Sequence, residues 1–382
     1  LFLGASESGR LAQELAQRGI VGGDPIALHP GVRIYTGELP HVRYLKISEG
    51  CDHGCAFCAI PLMRGRHRSF GRDELIHEAQ LLELQGAREV NLVAQDLAHY
   101  GRDRRDGVRL PELLESLIAE TSIPWIRMLY LYSTGITPRL LEVIAREPRI
   151  LPYLDMPMQH ASDAVLARMR RPERKRTILE RVARFREAVP GVAIRTTCIV
   201  GFPGETESDF RELLDFLEEI KFDRVGAFTY SPQEGTQAAM LNDDVPEPLK
   251  RERLEQLTEL QRAITAERYE SRVGRKAQLI VDRVADPSDA RESALPPNDR
   301  ISQGQGCVGR LPWQADDIDG VTYLDAMLTP GSLAEVTVEE VVDDYDFRAS
   351  FISSLEGHVL APRMTSRRSL PMAAGMARSY GR

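Results

Sequence analysis

Between residues 43 and 270 the chain alternates short apolar, β-branched runs with amphipathic helical stretches. This alternation is the sequence form of βα units wound around a parallel sheet. Six runs read as strands: 43–49, 89–94, 125–132, 153–158, 193–200 and 224–230. They recur at intervals that leave room for a crossover helix between neighbours. Arg72, Asp73 and Glu74 open one helix and Pro111-Glu112 another; Glu205, Glu207 and Asp209 put acids in the first turn of a third. A long fourth helix covers 246–269. A closed barrel of this kind needs eight units. Six predict an α/β fold with a partial, open parallel β/α barrel.

After Gly274 the texture changes to short β-rich runs, 276–284, 321–325 and 333–342, separated by Pro, Gly, Asp and Ser clusters. They predict a small antiparallel β-barrel. Charge separates this part from the rest. Of a formal net charge of -8, all lies in residues 270–350, which hold sixteen acids against eight basic residues. Such a segment repels phosphates and attracts a basic protein, so direct RNA binding is not expected of it. No apolar run of membrane-spanning length and no secretory pattern stands in the chain, so the expected location is the cytoplasm, without a membrane partner. The sequence starts at Leu1, which reads as a fragment or a processed form.

The chemistry concentrates in Cys51-Asp-His-Gly-Cys55-Ala-Phe-Cys58, directly after the first predicted strand. The carboxyl ends of barrel strands are where active-site groups gather. Three thiolates on one tight loop are soft ligands for three of the four irons of a 4Fe-4S cubane. The fourth iron then stays open to chelate S-adenosylmethionine and feed an electron into its sulfonium. A closed zinc site is the competing reading. It needs a fourth ligand, which His53 can supply but for which Cys198 and Cys307 lack the paired spacing. A redox thiol pair is a further alternative. Cys198, inside an apolar run, reads as a small core residue, and Cys307, in a Gly-rich turn, as incidental.

The later strand ends also carry polar or glycine-bearing residues. Gln95 and Asp96 are candidates for the amino end of the cofactor and Gln159 for its ribose. The backbone of 200–204, from Val200 and Gly201 onward, is the candidate for its adenine. Phe57, the aromatic residue before the last cysteine, joins these cofactor-binding candidates. Arg195 is an ion-pair partner or a carboxylate binder, and the sequence leaves both open.

At this point the chain resembles, from about Tyr35 to Ser350, the radical S-adenosylmethionine methylthiotransferases with a C-terminal TRAM barrel. The resemblance rests on Lys46-Ile-Ser-Glu-Gly-Cys51, Cys58-Ala-Ile-Pro61 with Arg64-Gly-Arg66, Arg195-Thr-Thr, Val200-Gly-Phe-Pro-Gly-Glu205 and Tyr230-Ser-Pro-Gln-Glu-Gly-Thr236. Tyr130-Leu-Tyr132, the run from Tyr153 to His160 and Asp316-Asp-Ile-Asp-Gly-Val321 resemble the branch that modifies a ribosomal protein. The resemblance implies methylthiolation at the β-carbon of an aspartate of small-subunit ribosomal protein S-twelve, docked through the acidic barrel, with an electron donor as second partner. The alternatives are a tRNA adenosine methylthiotransferase of the same family and a non-catalytic binding module. It also implies Cys51, Cys55 and Cys58 as ligands of the radical cluster, and four segments. These are a remnant of an N-terminal methylthiotransferase domain (1–34), a radical SAM core (35–269), the TRAM domain (270–350) and a disordered tail (351–382). The family carries a second cluster on three further N-terminal cysteines, and no cysteine precedes Cys51 here. One cluster is therefore expected in this chain, and sulfur insertion is not assured from it alone.

Overall fold

The computed structural model describes residues 39–289 and 301–355, together with the isolated Arg18. The expected N-terminal remnant, 1–34, and the tail beyond 355 lie outside the described residues.

Strands β1 (Val42–Lys46), β2 (Glu89–Val93) and β3 (Trp125–Met128) pair in parallel in that order. Strands β4 (Tyr153–Asp155), β5 (Ala193–Val200) and β6 (Arg224–Thr229) form a second parallel set. The two sets meet at a bridge between Ile126 and Ile150, where the Ile126 N–H donates to the Arg149 carbonyl at 2.7 Å. Among the described residues β1 and β6 do not pair, so the barrel of six units is open. Helices α1 (Arg72–Leu84), α2 (Leu110–Glu120), α3 (Pro138–Arg146), α4 (Lys175–Ala188), α5 (Glu207–Ile220) and α6 (Glu247–Glu270) connect and cover the strands.

Alternation along β5 shows the layering. Ile194, Thr196, Cys198 and Val200 are buried under the helices, while Arg195, Thr197 and Ile199 are half-buried and line the lumen. Leu92, Leu113, Phe185, Ile194, Leu213 and Leu217 are fully buried in one continuous core. Burial of each such side chain contributes about 1.5–3 kcal/mol. Cys198 is part of that core, as its apolar surroundings in sequence imply.

The second unit is a closed five-stranded barrel of β7 (Lys276–Val284), β8 (Cys307–Arg310), β9 (Thr322–Leu324), β10 (Leu333–Val342) and β11 (Asp346–Ser354), in the order β8-β9-β11-β10-β7. Four pairings are antiparallel, but β9 and β11 run parallel, because β10 reverses the chain once between them. Two strands are absent from the sequence reading. The glycines around Cys307 signalled a turn, yet Cys307 is buried in β8 and a Cβ at Gly309 would overlap the Ile280 carbonyl of the neighbouring strand. The last strand runs to Ser354, past the expected barrel end.

This barrel closes the amino end of the core. Trp125, Tyr153 and Ala193, each the first residue of its strand, pack with Ile280, Ala315 and Leu333. A buried ionic chain runs through the contact. Glu89 takes Arg127 at 2.7 Å and Arg310 at 2.6 Å, Arg310 also holds Asp282 at 2.7 Å, and His41 meets Asp282 at 2.9 Å. Burial pushes the Glu89 carboxyl up, but Arg310 and Arg127 outweigh it and hold the group below the usual carboxylate range. The Tyr153 hydroxyl donates to Asp319 at 2.6 Å, and Arg224 pairs with the same carboxylate at 3.3 Å. Asp319 is fully buried, so this part of the acidic motif is an internal tie rather than a charged surface.

Candidate active site

The cysteine loop leaves the sheet at a two-residue ribbon, Ser48–Glu49 against Arg68–Ser69. Gly50 permits the turn: its φ is +82°, and a Cβ there would overlap the Arg66 carbonyl. The Cys51 N–H donates to the Gly65 carbonyl at 3.1 Å. From the far side the Ala56 N–H donates to Met169 O at 2.9 Å, and the Ala56 carbonyl accepts from Ala238 N at 2.8 Å. The loop is thus fixed on three sides before any ligand arrives.

Cys51, Cys55 and Cys58 are free thiols, each half-buried. Burial pushes the Cys51 thiol up to about 11 and raises that of Cys58 as well. Loading a metal there means displacing protons. Tyr132, four residues beyond the end of β3, stands beside them. His53 stacks on its ring at 3.9 Å with an interplanar angle of 13°, and the Arg171 guanidinium lies 3.9 Å from the ring centre. Arg171 Nη1 reaches Cys55 Sγ at 3.7 Å, and its other donors go to the Pro157 carbonyl at 2.7 Å and Glu173 at 3.1 Å. Spacing gave no signal for Arg171, which is 116 residues from Cys55.

The other expected contacts divide into two groups. Gln95 and Gln159 each keep a buried side-chain oxygen with no protein partner. Gln159 adopts φ +77°, while its backbone bonds Thr197 and Ile199 on β5. These two can serve a ligand. Asp96 cannot do so freely: it accepts from Ala98 N at 2.9 Å, Tyr132 N at 3.1 Å and His53 Nε2 at 2.8 Å. Arg195 is paired with Asp155 at 2.9 Å, the ion-pair alternative of the two left open. Val200 is buried in the core and its carbonyl accepts from Tyr230 N at 2.8 Å. Gly201 has φ +70°, and the space a side chain would take is filled by Lys250. Lys250 is held there by Asp243 at 2.7 Å and Glu247 at 2.8 Å. Phe57 packs into the apolar cluster of Ala56, Phe202 and Tyr230 behind the loop.

The donor set fits an iron–sulfur cluster better than closed zinc. His53, the fourth ligand a zinc site would need, is engaged by Asp96 and Tyr132. Cys198 and Cys307 lie buried in strands. His53, Asp96 and His99 also place ligand atoms within 4.8 Å of one another, but the first two are bonded to each other.

No helix among the described residues is long and apolar enough to cross a membrane. Residues 45–217 match the Radical SAM superfamily. A protein of Anaeromyxobacter sp. (strain Fw109-5), named ribosomal protein uS12 methylthiotransferase RimO, is 41% identical over 380 residues, covering 98% of this chain and 76% of that protein. The protein of the same name from Moorella thermoacetica (strain ATCC 39073 / JCM 9320) is 41% identical over 91% of this chain and 76% of its own length. Coproporphyrinogen III oxidase of Escherichia coli, a radical SAM enzyme, is similar in structure with a TM-score of 0.47 and 17% identity, over 64% of this chain and 57% of that one. Identity at this level over nearly the whole chain, joined to three thiols on one loop at the carboxyl ends of an open parallel barrel, decides the family. The chain belongs to the RimO methylthiotransferases, transferases of the radical SAM superfamily that work with an iron–sulfur cluster and S-adenosylmethionine.

Proposed function

We propose that this chain methylthiolates ribosomal protein uS12 at the β-carbon of an aspartate, with Cys51, Cys55 and Cys58 as the ligands of a 4Fe-4S cluster. The observation that carries this reading is the set of three half-buried free thiols on one fixed loop at the strand ends. Bound there, the cluster would supply the one-electron chemistry that turns S-adenosylmethionine into a hydrogen-abstracting radical source. A second molecule of the cofactor would give the methyl group, the sulfur atom would come from a sulfide source supplied to the chain, and an electron donor is required.

The chain's own residues provide the setting. The unpartnered oxygens of Gln95 and Gln159 accept from the ammonium and hydroxyl groups of the cofactor. Phe57, with Phe202 and Tyr230, forms an apolar backing that keeps water from the loop. Arg195, fixed by Asp155, presents a cation on the lumen wall. The exposed acids Glu339, Glu340 and Asp343 on the barrel suit a basic protein and repel RNA phosphates, which favours the ribosomal protein over tRNA. A ribosomal substrate suits work in the cytoplasm.

Anaerobic reconstitution with iron and sulfide, followed by incubation with S-adenosylmethionine, a reductant and purified uS12, tests the proposal. Mass spectrometry should find a methylthio group on one aspartate. Deoxyadenosine release without cysteine-loop iron, or modification of tRNA in place of the protein, would overturn it.

A further inference from the structure

The three thiols do not stand in equal surroundings. Cys51 receives the His53 backbone N–H at 3.4 Å. Cys55 receives a side chain, the Arg171 guanidinium at 3.7 Å. This donor is held rigidly. Arg171 is only 4% exposed and anchored to Glu173 and to the Pro157 carbonyl. Two flat groups at 3.9 Å from one ring centre cannot share a face, so Tyr132 is sandwiched between Arg171 and His53. His53 lies between Cys51 and Cys55 in the same loop, which makes the stack part of the thiol site itself.

We propose that Arg171, held against the Tyr132 ring, donates to the Cys55 sulfur and raises the reduction potential of the cluster, making it a positioning and tuning residue. This inference rests on the cysteine loop holding that cluster. Its physics is elementary. Reduction adds one electron and makes or breaks no bond, so the negative charge on the irons and sulfurs grows. Hydrogen bonds to ligand sulfur favour the more negative state, and a fixed cation nearby does the same. Arg171 keeps its proton throughout the physiological range, so its effect does not depend on a protonation step. Glu173 offsets its net charge at a distance but leaves the N–H vector aimed at sulfur.

The test uses the full chain, reconstituted anaerobically and poised with redox mediators, with the reduced fraction read by electron paramagnetic resonance. Tyr132→Phe keeps the ring that Arg171 packs on and serves as the control. Arg171→Gln combined with Glu173→Gln removes the cation without leaving a buried carboxylate unpaired. At fixed poise the reduced-to-oxidised ratio should stay unchanged in the first variant and fall about tenfold in the second, the latter ~59 mV for one electron. An unchanged ratio in the second variant at full iron content would overturn the proposal. So would loss of iron in that variant, which would make Arg171 a scaffold for the loop and nothing more. An unaltered chain that takes up no iron would bring down the functional reading itself, and the tuning role with it.

Discussion

The Tyr153 hydroxyl donates to the Asp319 carboxylate at 2.6 Å, and this one bond ties the first residue of a core strand to the acidic loop of the barrel. Asp319 also accepts from the Ala315 N–H at 3.0 Å and pairs with Arg224. Acidic residues that look alike in sequence therefore divide into internal ties and surface charge.

Asp319→Ala should destabilise the chain by about 3 kcal/mol, because it strands the buried Tyr153 phenol and removes the anion paired with the half-buried Arg224. Glu339→Lys with Glu340→Lys and Asp343→Lys should leave stability within about 0.5 kcal/mol, as exposed sites do. The triple variant should instead bind uS12 more weakly and lose most of the salt dependence of binding. Denaturant melts and titrations at two salt concentrations check both. Equal stability loss in the two variants would refute the division.

Cys55→Ala should abolish iron binding and cofactor cleavage together, since two thiolates cannot hold the cubane. The unaltered chain should take up about four irons. Iron analysis with visible spectroscopy decides, and a count near eight or a variant that still cleaves the cofactor would refute the ligand assignment.

Gly201→Ala should cost about 1–3 kcal/mol, because the residue sits at φ +70° and the added methyl meets the Lys250 side chain. The loss should be the same with and without S-adenosylmethionine. A stable variant with reduced cofactor affinity would show instead that the glycine clears space for a ligand.

Stability should fall on the acid side through Glu89 and Asp282. Both have carboxyls held below their unfolded values by Arg310 and its partners. Groups depressed in the folded state contribute fully above the unfolded pKa, about 4. The contribution is lost as pH falls from there through the folded values. Glu89→Gln should lower stability at pH 7 and flatten the decline below pH ~4. Melts at pH 7, 5 and 3 measure it; an unchanged acid limb would rule out Glu89 as its source.

The strands of the core were legible because the positions under the helices repeat as apolar or β-branched residues, as Ile194, Thr196, Cys198 and Val200 do in 193–200. The thiol loop was legible because its chemistry is local. What sequence concealed was non-local or inverted in meaning. Arg171 joins Cys55 across 116 residues, and no periodicity links them. Gly309 looked like a turn and is a site of close strand approach. Lys250, which fills the space beside the Gly201 backbone, is 49 positions away in sequence. Asp319 looked like surface charge, since composition does not report burial.

The barrel seats against the amino ends of the strands, and the thiols stand at the carboxyl ends. Strand β5 alone, eight residues long, separates these ends by ~26 Å. A short synthetic peptide carrying only the target aspartate can occupy one end but not reach the other. With the barrel docking the partner as proposed, recognition and chemistry would belong to different parts of it, and a peptide substrate should turn over slowly and without regard to salt, however well its sequence copies the modified loop.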